Sequence, residues 1–210
     1  MDELMPTLKD RLPPEPEFGE ALPISPAPPV LDFLARRRSA SAATLRAPAP
    51  DKAQLRDLLR LAVRVPDHGK LNPWRFIVLE GDGKARFADA LEQIAETAPD
   101  REKRKGALFK LKIPPMAVVV VSRYIEGKIP EWEQRMSSAA VCNTLLIAAL
   151  AMGFGANWIT DWYAYDEEAA ALLGLGAGEK VTGFVYLGTP DEAPQERVRP
   201  DVNALVSRWR

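Results

Sequence analysis

The chain has little of what metal- and thiol-dependent proteins are built on. Its 210 residues include one cysteine, Cys142, and one histidine, His68. A lone cysteine excludes an intrachain disulfide, and the pair is too small for a zinc or iron–sulfur ligand set, so no metal is expected and any cofactor should be organic. An excess of charge of either sign is also missing. With 28 Lys and Arg against 29 Asp and Glu, the chain offers no broad electrostatic footprint for nucleic acid or an anionic membrane. The opening MDELMPTLKDR lacks the basic end and apolar run of a secretion signal, and a cytoplasmic location is expected. No GxGxxG occurs: Gly81-Asp82-Gly83 lacks the third glycine, which argues against a Rossmann site.

The nearest approach to a membrane-spanning run is residues 137–160, which carry no charge. Asn143, Thr144 and Asn157 interrupt it. Gly153 and Gly155 divide it into a helix ending near Met152 and a short strand over 155–160. A helix this free of charge is either buried centrally or shared with a second subunit, and points to a dimer.

What is present suits one globular domain: 47% hydrophobic residues can supply a sizeable core. Residues 1–29 stand apart, holding eight of the 19 prolines with little periodicity, and read as an extended or disordered arm before a domain over 30–210. Leu31, Phe33 and Leu34 open a short helix that runs into Arg36, Arg37 and Arg38, cations its C-terminal dipole favours. Asp51 caps a helix with Leu55, Leu58, Leu59, Ala62 and Val63 on one face. A strand over 74–80, the Gly81-Asp82-Gly83 turn and a helix from Lys84 to about Ala98 follow. The basic stretch 100–112 reads as a solvated helical face stopped by Pro114 and Pro115. Residues 116–122 are a continuous β-branched run, expected of a central strand covered on both faces. Pro130 suits the first turn of a helix that begins with Glu131 and Trp132 and continues through the uncharged stretch to Met152. A helix over 166–173, a strand over 181–188 and a polar tail complete the chain. The order implies an α+β or α/β layer fold around four or five strands.

The densest polar chemistry lies at 64–76, RVPDHGKLNPWRF. Pro66 and Pro73 disfavour helical geometry at the residues before them, and Gly69 is free to turn, so the segment is held as a loop presenting Asp67, His68, Lys70 and Asn72. Such a loop can surround a planar, hydrogen-bonding ligand. Asp67 and His68 with a serine would also allow a hydrolase.

Five motifs in order, RRRSAS at 36–41, PDHGKLNPWRF at 66–76, IPEWEQ at 129–134, GFGANWIT at 153–160 and GFVYLGTP at 183–190, together resemble the small nitroreductase family, most of all its compact YdjA-like NAD(P)H nitroreductases. The resemblance covers roughly 30–190. It implies an α+β nitroreductase-like fold, a mainly antiparallel sheet of four to five strands flanked by helices, in an intertwined homodimer with FMN at the interface. It further implies a ping-pong oxidoreductase in which NADH or NADPH reduces the flavin, and a nitroaromatic, quinone or other electron-poor small molecule reoxidises it. A non-catalytic flavin-binding protein, flavin cleavage and dehalogenation are the alternatives on the same fold.

Carried over residue by residue, the resemblance assigns Arg37, Arg38 and Ser39 to the phosphate and ribityl end of FMN. Arg64, His68, Lys70 and Asn72 go to the ring, and Trp158, Ile159 and Thr160 to further cofactor contacts. Lys70 would stabilise negative charge on the reduced ring. Related chains usually have arginine where this one has Ile159, and the missing charge would come from Arg36, Arg208 or Arg210. Trp132 is assigned to the substrate wall, although an interface or core tryptophan accounts for it equally, and Ala148, Ala149, Leu150, Ala151, Met152 and Gly153 are assigned to the nicotinamide nucleotide, although core packing is the stronger reading of that helix end. No side chain is expected to act as a catalytic acid or base, since the flavin carries the redox chemistry.

Overall fold

A computed structural model describes residues 12–209. The β-branched run forms the middle of the sheet. Among the described residues there are five strands: β1 (Leu45–Arg46), β2 (Trp74–Glu80), β3 (Met116–Arg123), β4 (Gly155–Ile159) and β5 (Glu179–Pro190). β3 lies between β2 and β5, and β1 and β4 also pair with β5. Every pairing is antiparallel, with Phe76 opposite Val120 and Val119 opposite Phe184.

Among the described residues there are seven α-helices: α1 (Pro28–Arg36), α2 (Lys52–Ala62), α3 (Gly81–Glu96), α4 (Arg101–Ala107), α5 (Phe109–Lys112), α6 (Glu131–Ala151) and α7 (Glu167–Leu172). Alternate residues of β3 serve two cores. Ala117, Val119 and Val121 join Phe184 and Tyr186 under Phe87, Leu91 and Leu111 from α3 and α5. Val118 and Val120 join Val185 and Leu187 under Leu58 of α2 and Val141, Cys142 and Leu145 of α6. A sheet buried on both faces needs no polar alternation, which is why this strand reads as one apolar run.

Local chemistry sets the helix ends. Asp51 accepts from the N–H groups of Ala53 and Gln54 while Gln54 Oε1 accepts from the Asp51 N–H, so a full capping box starts α2. At the other end of α6, Gly153 takes φ 85°, its N–H reaching Leu150 and that of Phe154 reaching Ala149, the paired bonds that close a helix and release the chain into β4.

Several sequence expectations require correction. Gly81-Asp82-Gly83 is the first turn of α3 rather than a separate turn. The basic stretch forms two helices, α4 and α5. The last strand runs from Glu179 to Pro190, beyond both expected ends, and β1 was not foreseen. α1 begins at Pro28, inside the stretch read as an arm; of that arm, residues 1–11 lie outside the described residues, and 12–27 contain no helix or strand. α6 buries Val141, Leu145 and Ala149 and exposes Trp132, Met136 and Asn143.

Candidate functional site

The loop between α2 and β2 is rigid for reasons that lie mostly in α6. Ser137 donates its hydroxyl to the Pro66 carbonyl at 2.6 Å, and Ser138 donates to the Pro73 carbonyl at 3.0 Å, so both ends of the loop are pinned to one helix. Inside, Asp67 Oδ2 accepts from the Asn72 N–H at 2.8 Å. Arg123, at the end of β3, donates its N–H to Pro73 and its Nη2 to the Asn72 carbonyl. Gly69, Lys70 and Asn72 all have positive φ, at 75°, 54° and 48°. Asparagine tolerates this region well, whereas a lysine held there is strained by of order 1 kcal/mol. Asp67 is turned inward to hold the backbone, and Arg64, His68, Lys70 and Asn72 stand exposed.

His68 Nδ1 faces Glu133 Oε2 of α6 at 2.5 Å. Asp67 is committed to Asn72, and the hydroxyls of Ser137 and Ser138 are committed to carbonyls, so the elements of a Ser-His-Asp arrangement point to other partners. Gln134, buried at the start of α6, receives the Ile125 N–H and donates to the carbonyls of Ile125 and Ile129. Those bonds fix the 124–130 segment, and Ile129 packs beside Gly69.

A second polar surface lies at the end of α1. A cavity of about 490 Å³ is lined by Arg38, Ser39, Ser41, Thr44, Asn157 and the tail residues Glu192 to Gln195, among others. That volume suits a small-ligand site. The backbone of Ala40 is tied to β4 twice: its N–H donates to Ala156 at 3.1 Å, and its carbonyl accepts from Asn157 Nδ2. Arg37 Nη2 donates to Ser39 Oγ at 3.2 Å, but its buried Nε has no partner. Burial and the neighbouring guanidinium groups of Arg199, Arg38 and Arg197 together lower the Arg37 pKa. A buried unpaired guanidinium N–H among other cations, with hydroxyls alongside, is the environment a phosphate monoester would satisfy. The donors therefore fit the phosphate end of FMN.

The structure places the remaining expected residues as follows. Arg36 pairs with Asp32 one turn back, so it serves α1 rather than the cavity, and the cations near Arg37 are Arg197 and Arg199 rather than Arg208; Arg210 lies outside the described residues. Ile159 packs against the core on the α3 side, which leaves only its backbone for a ligand. Trp158 Nε1 points to the Thr182 carbonyl at 3.4 Å, and its indole lies over Gly183, where a Cβ would stand 2.0 Å from Nε1. Thr182 is the extra residue of a bulge in β5, between the partners of Val120 and Val121. Thr160 is exposed. Ala148 and Ala149 are buried in the α6 core; Leu150 and Met152 are half-buried, and Ala151 and Gly153 exposed. Trp132 is 69% exposed. None of Arg64, His68, Lys70 and Asn72 lines the cavity beside Arg38.

Comparison with known proteins supplies the class. The model of the Nitroreductase family matches residues 34–189, and the chain belongs to that family. Among individual relatives, it is 39% identical over 183 residues to the "Putative NAD(P)H nitroreductase YdjA" of Escherichia coli (strain K12), covering 84% of this chain and 97% of that protein. The fold is shared with a nitroreductase-like family protein from Bacillus cereus, at a TM-score of 0.75 and 23% identity over 90% of this chain and 99% of the other. It is shared also with a variant of the FMN and NADPH-dependent nitroreductase NfnB from sphigopyxis sp. strain HMH, at a TM-score of 0.66 and 21% identity over 85% and 97%. No helix among the described residues is long and apolar enough to cross a membrane.

Proposed function

We propose that the chain is an FMN-dependent oxidoreductase that takes hydride from NADH or NADPH and passes the electrons to nitroaromatic, quinone or similar electron-poor acceptors in a ping-pong cycle. The observation that carries this reading is the cavity lined by Arg38, Ser39, Ser41 and Thr44, with a buried, unpartnered N–H on the adjacent residue Arg37. FMN, when bound, supplies the redox chemistry. The chain's own residues bind and orient it: Arg37, Arg38 and Ser39 take the phosphate end, and Arg64, His68, Lys70 and Asn72 face the ring. Lys70 sets a positive charge against the ring's electron-rich edge.

The two donor sets occupy different surfaces of one chain, which supports a homodimer with two equivalent FMN sites at its interface, each copy giving one set to each site. Exposed apolar surface agrees with this. α1 has no buried residue, α6 exposes Trp132 and Met136, and the tail exposes Val198, Leu205 and Trp209. The names of the relative from Escherichia coli and of the NfnB structure agree with NAD(P)H as donor and FMN as cofactor.

The test is the visible absorption spectrum of the purified protein before and after anaerobic addition of NADH or NADPH. A flavin spectrum that bleaches is the expected result. A protein that stays colourless after incubation with FMN would overturn the cofactor, and a bound flavin that remains oxidised would overturn the oxidoreductase reading.

A further inference from the structure

The stretch that precedes the family match, which begins at residue 34, lies back against the domain. Residues 12–29 carry three carboxylates, Glu15, Glu17 and Glu20, and no cation. α2 is the opposite: Lys52, Arg56 and Arg60 recur every four residues along it, and Arg64 continues the spacing just past its end. Like charges at this spacing weaken a helix unless opposite charge lies over them. The arm supplies it. Arg60 Nη2 donates to the Pro13 carbonyl at 2.6 Å, and Arg60 Nε stands 3.8 Å from Glu15. Beyond Glu15 the chain turns: the Glu20 N–H donates to the Glu17 carbonyl at 3.0 Å and the Glu17 N–H to Glu20 Oε2 at 2.9 Å, with Gly19 at φ 87°. The turn returns Leu22 to the space that Leu12 and the arm's prolines already border.

That space is a cavity of about 970 Å³, closed on the domain side by Leu61 of α2 and by Val65 and Pro66 of the loop. Of its described charged groups, Arg60 and Glu15 are turned on each other and Glu20 on the turn, which leaves Arg64 to meet a ligand. Apolar walls with one guanidinium suit a flat ring bearing a pair of anionic oxygens, because the guanidinium fork matches a carboxylate. We infer that the arm closes this cavity into a binding site for a planar aromatic carboxylate, held by Arg64. The inference rests on the proposed function for one point: Arg64 faces the flavin ring in that reading, so the molecule held here is the electron acceptor and the arm selects among acceptors.

The experiment titrates the oxidised, FMN-loaded, full-length protein by calorimetry with 4-nitrobenzoate and with nitrobenzene, which lacks the carboxylate. The wild-type protein is expected to bind 4-nitrobenzoate about tenfold more tightly, the yield of one charge-assisted contact. Arg60→Glu repels Glu15 and releases Pro13; about tenfold weaker binding of both compounds is expected, with faster amide hydrogen exchange over residues 15–22 and FMN retained. Arg60→Glu/Glu15→Arg restores the charge pair and should recover part of the affinity. Equal affinity of the wild-type protein for the two compounds would overturn the inference, as would unchanged binding in Arg60→Glu or no recovery in the charge swap. Loss of FMN together with 4-nitrobenzoate in Arg60→Glu would place the effect in the domain rather than the arm, and would overturn it too. A wild-type protein that holds no FMN refutes the proposed function instead, and the same titration of the apoprotein then decides the site by itself.

Discussion

Glu179→Gln tests the electrostatics that join the two outer neighbours of β3. Arg75 on β2 reaches across to Glu179 at the start of β5, with Nε to Oε1 and Nη2 to Oε2 both at 2.7 Å. The second oxygen also accepts the Gly176 N–H at 2.9 Å, and the Glu179 side chain is only 14% exposed. Bonding to Arg75 holds this carboxyl far below its ordinary range, at about 2 against a reference of 4.5. The folded-state pKa is depressed, so the stabilisation is fully present above the unfolded value and is lost as pH falls toward the folded one. A shift of this size corresponds to an upper bound of about 3 kcal/mol. Arg75 is 30% exposed, and solvent reduces the yield to about 2 kcal/mol. Urea unfolding of the wild-type protein and the variant, compared from pH 7 down to pH 2, should show that difference above pH 5 and most of it gone between about pH 4.5 and pH 2. A difference that stays constant with pH, or one below about 0.5 kcal/mol at pH 7, would refute the argument.

Two other substitutions probe the supports of the site. Gly183→Ala places a Cβ 2.0 Å from Trp158 Nε1, so the indole must leave its seat on β5; a loss of about 2 kcal/mol and a red-shifted tryptophan emission are expected, and unchanged emission would contradict the packing. Ser137→Ala/Ser138→Ala removes both pins on the loop at a cost of about 2 kcal/mol, with faster amide hydrogen exchange at Gly69 and Leu71 as the readout. Exchange at wild-type rates would show that the loop holds itself.

Much of the fold was legible because its signals are local. The run 116–122 could only be a doubly covered strand, Asp51 announces α2, and Gly153 announces the end of α6. The loop was legible as a rigid, donor-bearing segment from Pro66 and Pro73, but the groups that hold it were not. Ser137 lies 71 residues from its acceptor and Asn157 lies 117 from the carbonyl it holds, and no spacing rule links them. Ser137 read only as the start of an uncharged run. The two-residue β1 is too short for any periodicity, and the bulge at Thr182 has no glycine or proline of its own to mark it. Gly183 is conspicuous only once the indole above it is seen. The approach of Arg197 and Arg199 to Arg37 was not legible, because charged residues in a polar tail look like any solvated end.

The two parts of the site differ in what holds them, and this has a thermodynamic consequence. The loop is bonded to α6, a helix whose other contacts make one of the two cores, so it should open only when much of the domain opens. α1 and the tail bury nothing of their own. A ligand gripping both would leave the loop as it found it and spend its free energy on α1 and the tail. α1, the tail and the ligand are then linked: whatever the ligand adds to the stability of those two segments, they return to it in affinity.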